Sequence, residues 1–531
     1  MTRLFNTAHA NNPVDDYTLP PLARLPPDIE NLVHDKFYFV LHAPRQSGKT
    51  TTVLALADKL RGDGRYAVVF CTVESGRTAH DEAGAVEALI FPMQLAARKQ
   101  LPVAERPPAE EAQWQAAPRV RLYAFLSAWA EACARPLVLF IDEIDCLQDD
   151  GMVSVLSQFR MGYAERPKAF PHSVCIFGMR DVRDYKVASG GTPNLGTSSP
   201  FNIKRESVTL PTFTRADIAA LYGQHTAETG QAFTDAAIDR ALHWTGGQPH
   251  LVNALANDIV IKQLWTGTID TPQIDAAKER IILDWGTHLD SLMARLREDR
   301  VRRVLEPVLN GSELAGGDEE DDRYCRDLGL ISGAEGEIAN AIYREVIPRS
   351  LASRYQRSLR VVPGNWKTAD GRLDIAGLRA AFVRFWREHA EKFVREESYH
   401  EVAVHLVAMA FLQRVVNGGG QVEREYAAGS KRMDILIQWP VADDAGIVDL
   451  YGTRFERHLF ELKVWYPKKG DPRGDGLAQL ETYLQRVPCE SASLLIFDRR
   501  PETEAREWGE RLVVEAERPV VQGVAVWVMR A

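Results

Sequence analysis

The stretch that decides the fold is "KFYFVLHAPRQSGKTTTVLALADKL", residues 36–60. Its apolar run Phe37 to Leu41 predicts a buried strand, and the apolar spacing of "TTTVLALADKL" predicts a helix. Between them lies a loop holding Pro44, Ser47 and Gly48. Strand, glycine-bearing loop and helix in that order are the setting of a phosphate-binding loop. There the N–H groups of the loop and of the helix N-terminus converge on one anion. Lys49 is expected to reach the β and γ phosphates of a nucleotide as a point charge, and the Thr50 hydroxyl to bind magnesium. Pro44, Arg45, Gln46, Ser47, Gly48 and Thr51 complete the expected nucleotide contacts. The stretch departs from GxxxxGK(S/T) at one place, where Ala43 replaces the first glycine and with it that residue's backbone freedom.

A second motif supports the first. "RPLVLFIDEIDCLQ", residues 135–148, is an apolar run ending in Asp142 and Glu143. A buried strand that ends in acids fits a parallel sheet presenting its active groups at the carboxyl edge. Asp142 would hold magnesium through water, and Glu143 would polarise the attacking water. "HSVCIFGMRDVRDYK", residues 172–186, predicts another strand with a polar end, where Arg180 or Asp181 could sense a γ-phosphate; "RYAVVFCTVE", residues 65–74, predicts one more. Together these residues resemble the AAA-type P-loop ATPases, in the branch with an extra strand between the strands that carry the two motifs. In "LHWTGGQPHLVNALANDI", residues 242–259, Gly247-Gln248-Pro249 resembles the GxP motif of the STAND class of signal-transducing ATPases. That resemblance implies that Pro249 packs near the adenine. The tripeptide also reads as an ordinary helix start with proline in its first turn.

Length and composition bound the rest. A chain of 531 residues predicts three or four domains, and 45% hydrophobic with 26% charged residues is ordinary for a globular protein. No apolar stretch approaches the roughly 20 residues of a membrane span. The first residues lack the basic, apolar, small-residue order of a secretory signal, so a cytoplasmic location is expected. The net charge of −9 excludes a protein-wide basic surface for nucleic acid, and any such partner must be recognised by a local site. Six cysteines without a CxxC pair predict buried free thiols rather than a zinc site.

Residues 266–360 carry no catalytic constellation. "DLGLI" and "GEIANAIYREVIPRSL" predict a short strand, turn, strand and helix, the layout of a winged helix; the acidic run Asp318 to Asp322 predicts a mobile loop. Pro363 and Gly364 then break the pattern, and a new unit begins. Two amphipathic helices lead to "QVEREYAAGSKRMDILIQW", two strand-like runs around Gly429, and then to "FERHLFELKVW", residues 455–465. In that strand Glu461 and Lys463 share one face while Phe460, Leu462 and Val464 line the other. Alone this is a common surface ion pair. Gln479 and Tyr483 follow one helical turn apart, and helix packing explains them equally well.

The ordered set "KRMD", "FELKVW" and "AQLETYL" resembles the PD-(D/E)xK nucleases, and the Gln479/Tyr483 pair resembles their recombination-type exonucleases. The resemblance implies that Asp434 and Glu461 bind magnesium, that Lys463 orients the attacking water or neutralises developing charge, and that Gln479 completes the site. Glu401 is the candidate for a remaining carboxylate, in competition with Glu397, Glu423 and Glu425. Lys468, Lys469 and Arg473 read either as phosphate contacts or as a solvated loop.

The order of blocks resembles a bacterial family that joins an AAA-like, STAND-related P-loop ATPase to a C-terminal PD-(D/E)xK nuclease domain. The resemblance implies an α/β multidomain chain. Residues 1–265 would form a P-loop NTPase parallel sheet with a helical lid, 266–360 a winged-helix-like domain, and 366–531 a restriction-endonuclease-like α/β domain. It further implies ATP and Mg2+ as cofactors, with Mn2+ able to substitute, a homo-oligomer formed through the ATPase domain, and DNA as the nucleic-acid partner. The expected function is a metal-dependent nuclease governed by ATP, with a role in defence against phage or mobile DNA. The alternative is a STAND-type signalling or scaffold ATPase whose nuclease-like domain binds nucleic acid or a partner without cleaving.

Overall fold

The computed structural model describes residues 3–79, 81–147, 149–178, 204–284, 294–309, 318–333, 336–347, 366–396, 407–408, 411–412, 421–428, 431–441, 447–448, 454–465 and 470–531. Arg180, Asp181, Glu397, Glu401, Lys468 and Lys469 lie outside the described residues, as do the side chains of Asp434, Glu423 and Glu425. The chain forms two compact units, Met1–Asp290 with Gly316–Ala341, and Ser291–Ala315 with Ile342–Ala531. The stretch 266–360 is divided between them.

Among its described residues the first unit is built on five strands: β1 (Tyr38–His42), β2 (Ala67–Thr72), β3 (Leu137–Asp142), β4 (Ser173–Gly178) and β5 (Lys204–Thr209). All pair in parallel, in the order β2-β3-β4-β1-β5. β4 therefore separates the strand of the phosphate loop from the strand of the acids, as expected of the additional-strand branch. Alternation along β1 feeds both faces. Tyr38 and Val40 enter one buried cluster with helices α3 (Glu82–Gln100), α4 (Pro118–Ala132) and α5 (Asp149–Met161), while Phe39 and Leu41 enter another with α1 (Ile29–His34) and α2 (Lys49–Gly62). A sheet covered on both faces needs apolar residues at every position, which is why β1 reads as an unbroken run.

Beyond β5 a helical cluster follows, α6 (Arg215–Thr229), α7 (Asp235–Thr245), α8 (Pro249–Asn257) and α9 (Thr271–Asp284). Its core takes in Phe5, Tyr17 and Leu19 from the N-terminal segment. Phe5 packs on Tyr17 at 4.7 Å, and the Tyr17 hydroxyl meets His225 Nδ1 at 3.1 Å.

The acidic run at 318 is a helix, which corrects the mobile loop expected there. Asp318 caps α10 (Glu319–Asp327), its carboxylate accepting the Glu320 N–H at 3.0 Å. Acids in a first turn stabilise the free N–H groups and the positive end of the helix dipole, so this charge run initiates a helix. A short antiparallel ladder follows, β6 (Ile331–Ser332) with β7 (Glu337–Ile338), and then helical residues 341–347.

Among its described residues the second unit holds a mixed sheet of eight strands. They are β8 (Gln421–Ala428), β9 (Lys431–Val441), β10 (Ile447–Val448), β11 (Arg454–Trp465), β12 (Ser491–Asp498), β13 (Val513–Val514), β14 (Val520–Val521) and β15 (Val524–Arg530). The main order is β13-β15-β12-β11-β9-β8, with β10 on β11 and β14 on β15. β11, β12 and β15 run parallel; β9 is antiparallel to both β11 and β8. Helix α11 (Ile375–Glu396) covers one face, where Trp386 meets Phe497 at 4.7 Å and Arg379 donates to Ser493 Oγ at 2.9 Å. Helix α12 (Arg473–Leu484) covers the other, packing Leu480, Tyr483 and Leu484 with Leu459, Leu494 and Ile496. Gly476 allows that approach, since a Cβ there would come within 2.6 Å of Leu494.

Candidate functional site

The phosphate loop owes its shape to two left-handed residues. Gln46 has φ +56° and Gly48 has φ +86°, an alternation that turns successive N–H groups toward one concavity. Ala43 is not among the residues with positive φ; it is buried and donates its N–H to the Gly178 carbonyl at 3.3 Å. The position therefore needs no glycine. From the head of α2, the Lys49 ammonium donates to the carbonyls of Ala43 at 2.5 Å and Pro44 at 3.4 Å. Desolvation lowers the Lys49 pKa, against the nearby charges of Asp145, Asp142 and Glu143.

Thr50 and Asp142 meet across the sheet. The Thr50 hydroxyl donates to Asp142 Oδ2 at 2.9 Å, bringing together residues 92 positions apart. Asp142 is 6% exposed, and its pKa is raised by burial in spite of the Thr50 hydrogen bond, the Lys49 charge and the Glu143 N–H. Glu143 follows in a left-handed conformation, φ +60°, a backbone state that costs a non-glycine residue about 1–3 kcal/mol and turns its side chain away from the strand's path. Its carboxylate pairs with Arg77 at 3.2 Å and accepts from Cys146 Sγ at 3.5 Å.

Three further residues reach the loop, Gln248 and Arg24 by their side chains and Asn11 by its backbone N–H. Gln248 stands 3.4 Å from the carbonyls of both Arg45 and Gln46 while its own oxygen caps Leu251 N at 2.7 Å. Asn11 donates its backbone N–H to Thr51 Oγ1 at 3.0 Å, and Arg24 donates to the Ser47 carbonyl at 2.8 Å. Gln248 lies within the tripeptide that was read for its proline. Asn11 and Arg24 stand in stretches with no periodicity or motif, and only tertiary contact identifies them. Pro249 is buried at the first turn of α8. The preceding Gly247 has φ +74°, and a Cβ there would fall 1.9 Å from the Phe213 carbonyl oxygen. Behind the loop, His42 Nδ1 faces Asp327 Oδ1 at 3.2 Å.

In the second unit Glu461 is 1% exposed, and Lys463 Nζ donates to its Oε1 at 2.6 Å. The pair is no surface decoration. Glu461 and Lys463 stand in register with Leu494 and Ile496 of β12, hence under α12. The register of β11 with β9 is described as far as Phe460 opposite Ile435, and Asp434 precedes Ile435 on β9. On α12, Tyr483 is buried in the core, whereas the buried Gln479 Oε1 has no hydrogen-bond partner among the described residues. Arg473 is committed to Glu515, with contacts of 3.0–3.1 Å. Beyond Lys463, Trp465 carries the Arg500 guanidinium 3.5 Å from its ring centroid.

No family model and no curated protein matches the chain. Solved structures do resemble it. A Walker-type ATPase of Pyrococcus abyssi aligns at 13% identity and TM-score 0.44, over 64% of this chain and 98% of its own. Cdc6p from Pyrobaculum aerophilum aligns at 12% and TM-score 0.37, over 67% and 98%. The RuvB Holliday junction branch migration motor of Thermotoga maritima aligns at 14% and TM-score 0.31, over 63% and 92%. In the present chain the parallel sheet, its strand order and the loop at the end of β1 define a P-loop nucleoside-triphosphatase fold, joined to a separate mixed α/β sheet. No helix among the described residues is long and apolar enough to cross a membrane.

Proposed function

We propose that the chain binds and hydrolyses ATP at the first unit and that this site governs a magnesium-dependent nuclease in the second. The observation that carries the reading is the 2.9 Å contact of Thr50 Oγ1 with Asp142 Oδ2 beside Lys49. Two hard oxygen donors at the mouth of a phosphate loop fit magnesium, which takes oxygen ligands. When bound, that ion would withdraw charge from the β and γ phosphates. The chain's own groups would do the rest. N–H groups of residues 46–50 orient the phosphates, Lys49 exchanges its loop carbonyls for phosphate oxygens, and Glu143 polarises the attacking water once it parts from Arg77. Pro44, Arg45 and Thr51 would line the loop, Pro249 the base, and Arg180 the γ-phosphate.

For the second unit the support is the buried Glu461 with Lys463 2.6 Å away. A carboxylate held inside a core with a lysine costs desolvation that a hydrophobic pair would avoid, so its presence favours a chemical role. Glu461 and Asp434 would hold magnesium, with Glu401 as a further ligand. Lys463 would position water or offset charge on the phosphate, and Gln479 would orient the group it faces. DNA is the proposed substrate, a homo-oligomer through the ATPase unit the proposed assembly, and defence against phage or mobile DNA the proposed setting. The test is to measure ATP hydrolysis, and Mg2+- or Mn2+-dependent cleavage of plasmid, linear DNA and RNA with and without ATP. A protein that hydrolyses ATP and cuts nothing leaves the signalling ATPase in place and removes the nuclease; one that binds no ATP removes both halves of the control.

A further inference from the structure

Arg24, between the N-terminal segment and α1, is half-buried at the junction of the phosphate loop and the lid. Its Nη1 donates to the Ser47 carbonyl at 2.8 Å and its Nη2 donates to the Pro211 carbonyl. Its plane lies over the Phe213 ring, 4.9 Å from the centroid, and its Nε is buried with no hydrogen-bond partner among the described residues. Burial lowers its pKa to about 10, with Asp217 acting in the opposite sense, so the guanidinium stays charged at neutral pH.

The two carbonyls belong to parts with different tasks. A trans peptide points its C=O and the next N–H in opposite directions. Holding the Ser47 carbonyl outward therefore turns the Gly48 N–H inward, toward the phosphates. The space at Gly48 is close as well, since a Cβ there would come 3.0 Å from Arg24 Nη1. Pro211–Phe213 is the link between β5 and α6. On its far side the Phe213 N–H donates to the Gly247 carbonyl at 2.7 Å. The link is thus gripped between Arg24 and the turn that starts α8.

We propose that Arg24 is a positioning residue that sets the Ser47–Gly48 peptide for phosphate binding and ties that peptide to the lid hinge. Phosphate occupancy and lid placement are then coupled through one guanidinium fork. This rests on the ATP reading for its ligand, while the hinge contact stands without nucleotide.

The experiment compares full-length wild type, Arg24→Ala and Arg24→Lys by amide hydrogen exchange without nucleotide and by ATP binding and turnover. In Arg24→Ala the Phe213 amide is expected to exchange about tenfold faster, as expected on losing a charged hydrogen bond. The amides of β3 stay unchanged, which reports an intact fold. ATP affinity should fall about tenfold, with turnover at saturation within about threefold of wild type. Arg24→Lys should behave like the alanine variant, since an ammonium keeps the charge but lacks the planar fork; it serves as the probe if the alanine variant does not fold. Unchanged Phe213 exchange in both variants overturns the hinge contact. Unchanged ATP affinity, or full rescue by lysine, overturns the peptide positioning. A wild type that binds no ATP defeats the ATP reading, and the nucleotide-free Phe213 measurement still decides the brace.

Discussion

The two sites are built from different materials. The first is made mostly of backbone: a loop of six residues, 43–48, between one strand and one helix, shaped by Gln46 and Gly48, with side chains added at Lys49, Thr50 and Asp142. The second, as proposed, draws on side chains from separate elements: Glu461 and Lys463, 2.6 Å apart on β11, with Asp434 on β9 and Gln479 on α12. A backbone site keeps its shape when one side chain is changed. A site of buried charges loses stability along with chemistry, because each partner left behind is stranded in the core.

That contrast orders the tests. The largest effect is expected from Lys49→Ala, which should cut ATP hydrolysis by about a thousandfold in a phosphate-release assay while altering unfolding free energy by less than about 1.5 kcal/mol. Glu143→Gln should lower hydrolysis about a hundredfold with ATP affinity near wild type, since it removes the base and keeps the loop. In the second unit the balance reverses. Lys463→Met leaves Glu461 buried without its ammonium, and chemical denaturation should report a loss of about 3 kcal/mol. Equal stability costs for Lys49→Ala and Lys463→Met would erase the distinction.

The first unit should also respond to acid. Burial pushes the His250 pKa down to about 4, against about 6.5 in an unfolded chain. Between these values the unfolded state binds more protons, so stability is full above pH 6.5 and declines as pH falls toward 4, by up to about 3 kcal/mol. His250→Gln should flatten that slope in denaturation series across the interval. The smallest effect is expected from Ala43→Gly, which restores the glycine of the loop pattern. ATP affinity should stay within about twofold, because the position has no positive φ, and stability should fall by about 0.5–1 kcal/mol through backbone entropy.

The same contrast explains what the sequence made legible. Residues 36–60 announced strand, loop and helix because motif and geometry coincide over a contiguous stretch. Asp142 was legible because a buried strand that ends in acids has few other reasons to exist. Glu461 and Lys463 could be placed on one face by alternation, but their burial could not, since α12 and β12 arrive from later in the chain. Arg24, Asn11 and Arg77 act across separations that leave no local pattern; their partners are backbone carbonyls for Arg24, a hydroxyl for Asn11 and a carboxylate for Arg77. Asp318 to Asp322 misled for a different reason: an acidic run has the same composition in a mobile loop and in the first turn of a capped helix, and only the cap at Asp318 separates them.

The measurement that bears most directly on control of a nuclease by the P-loop is Mg2+-dependent plasmid cleavage, with and without ATP, by wild type, Lys49→Ala and Glu461→Gln, with ATP hydrolysis followed in parallel. Wild type should cut and its cutting should change with ATP; Lys49→Ala should lose the ATP response; Glu461→Gln should hydrolyse ATP and cut nothing. Cleavage by Glu461→Gln at the wild-type rate, or an identical ATP response in Lys49→Ala, would contradict the account.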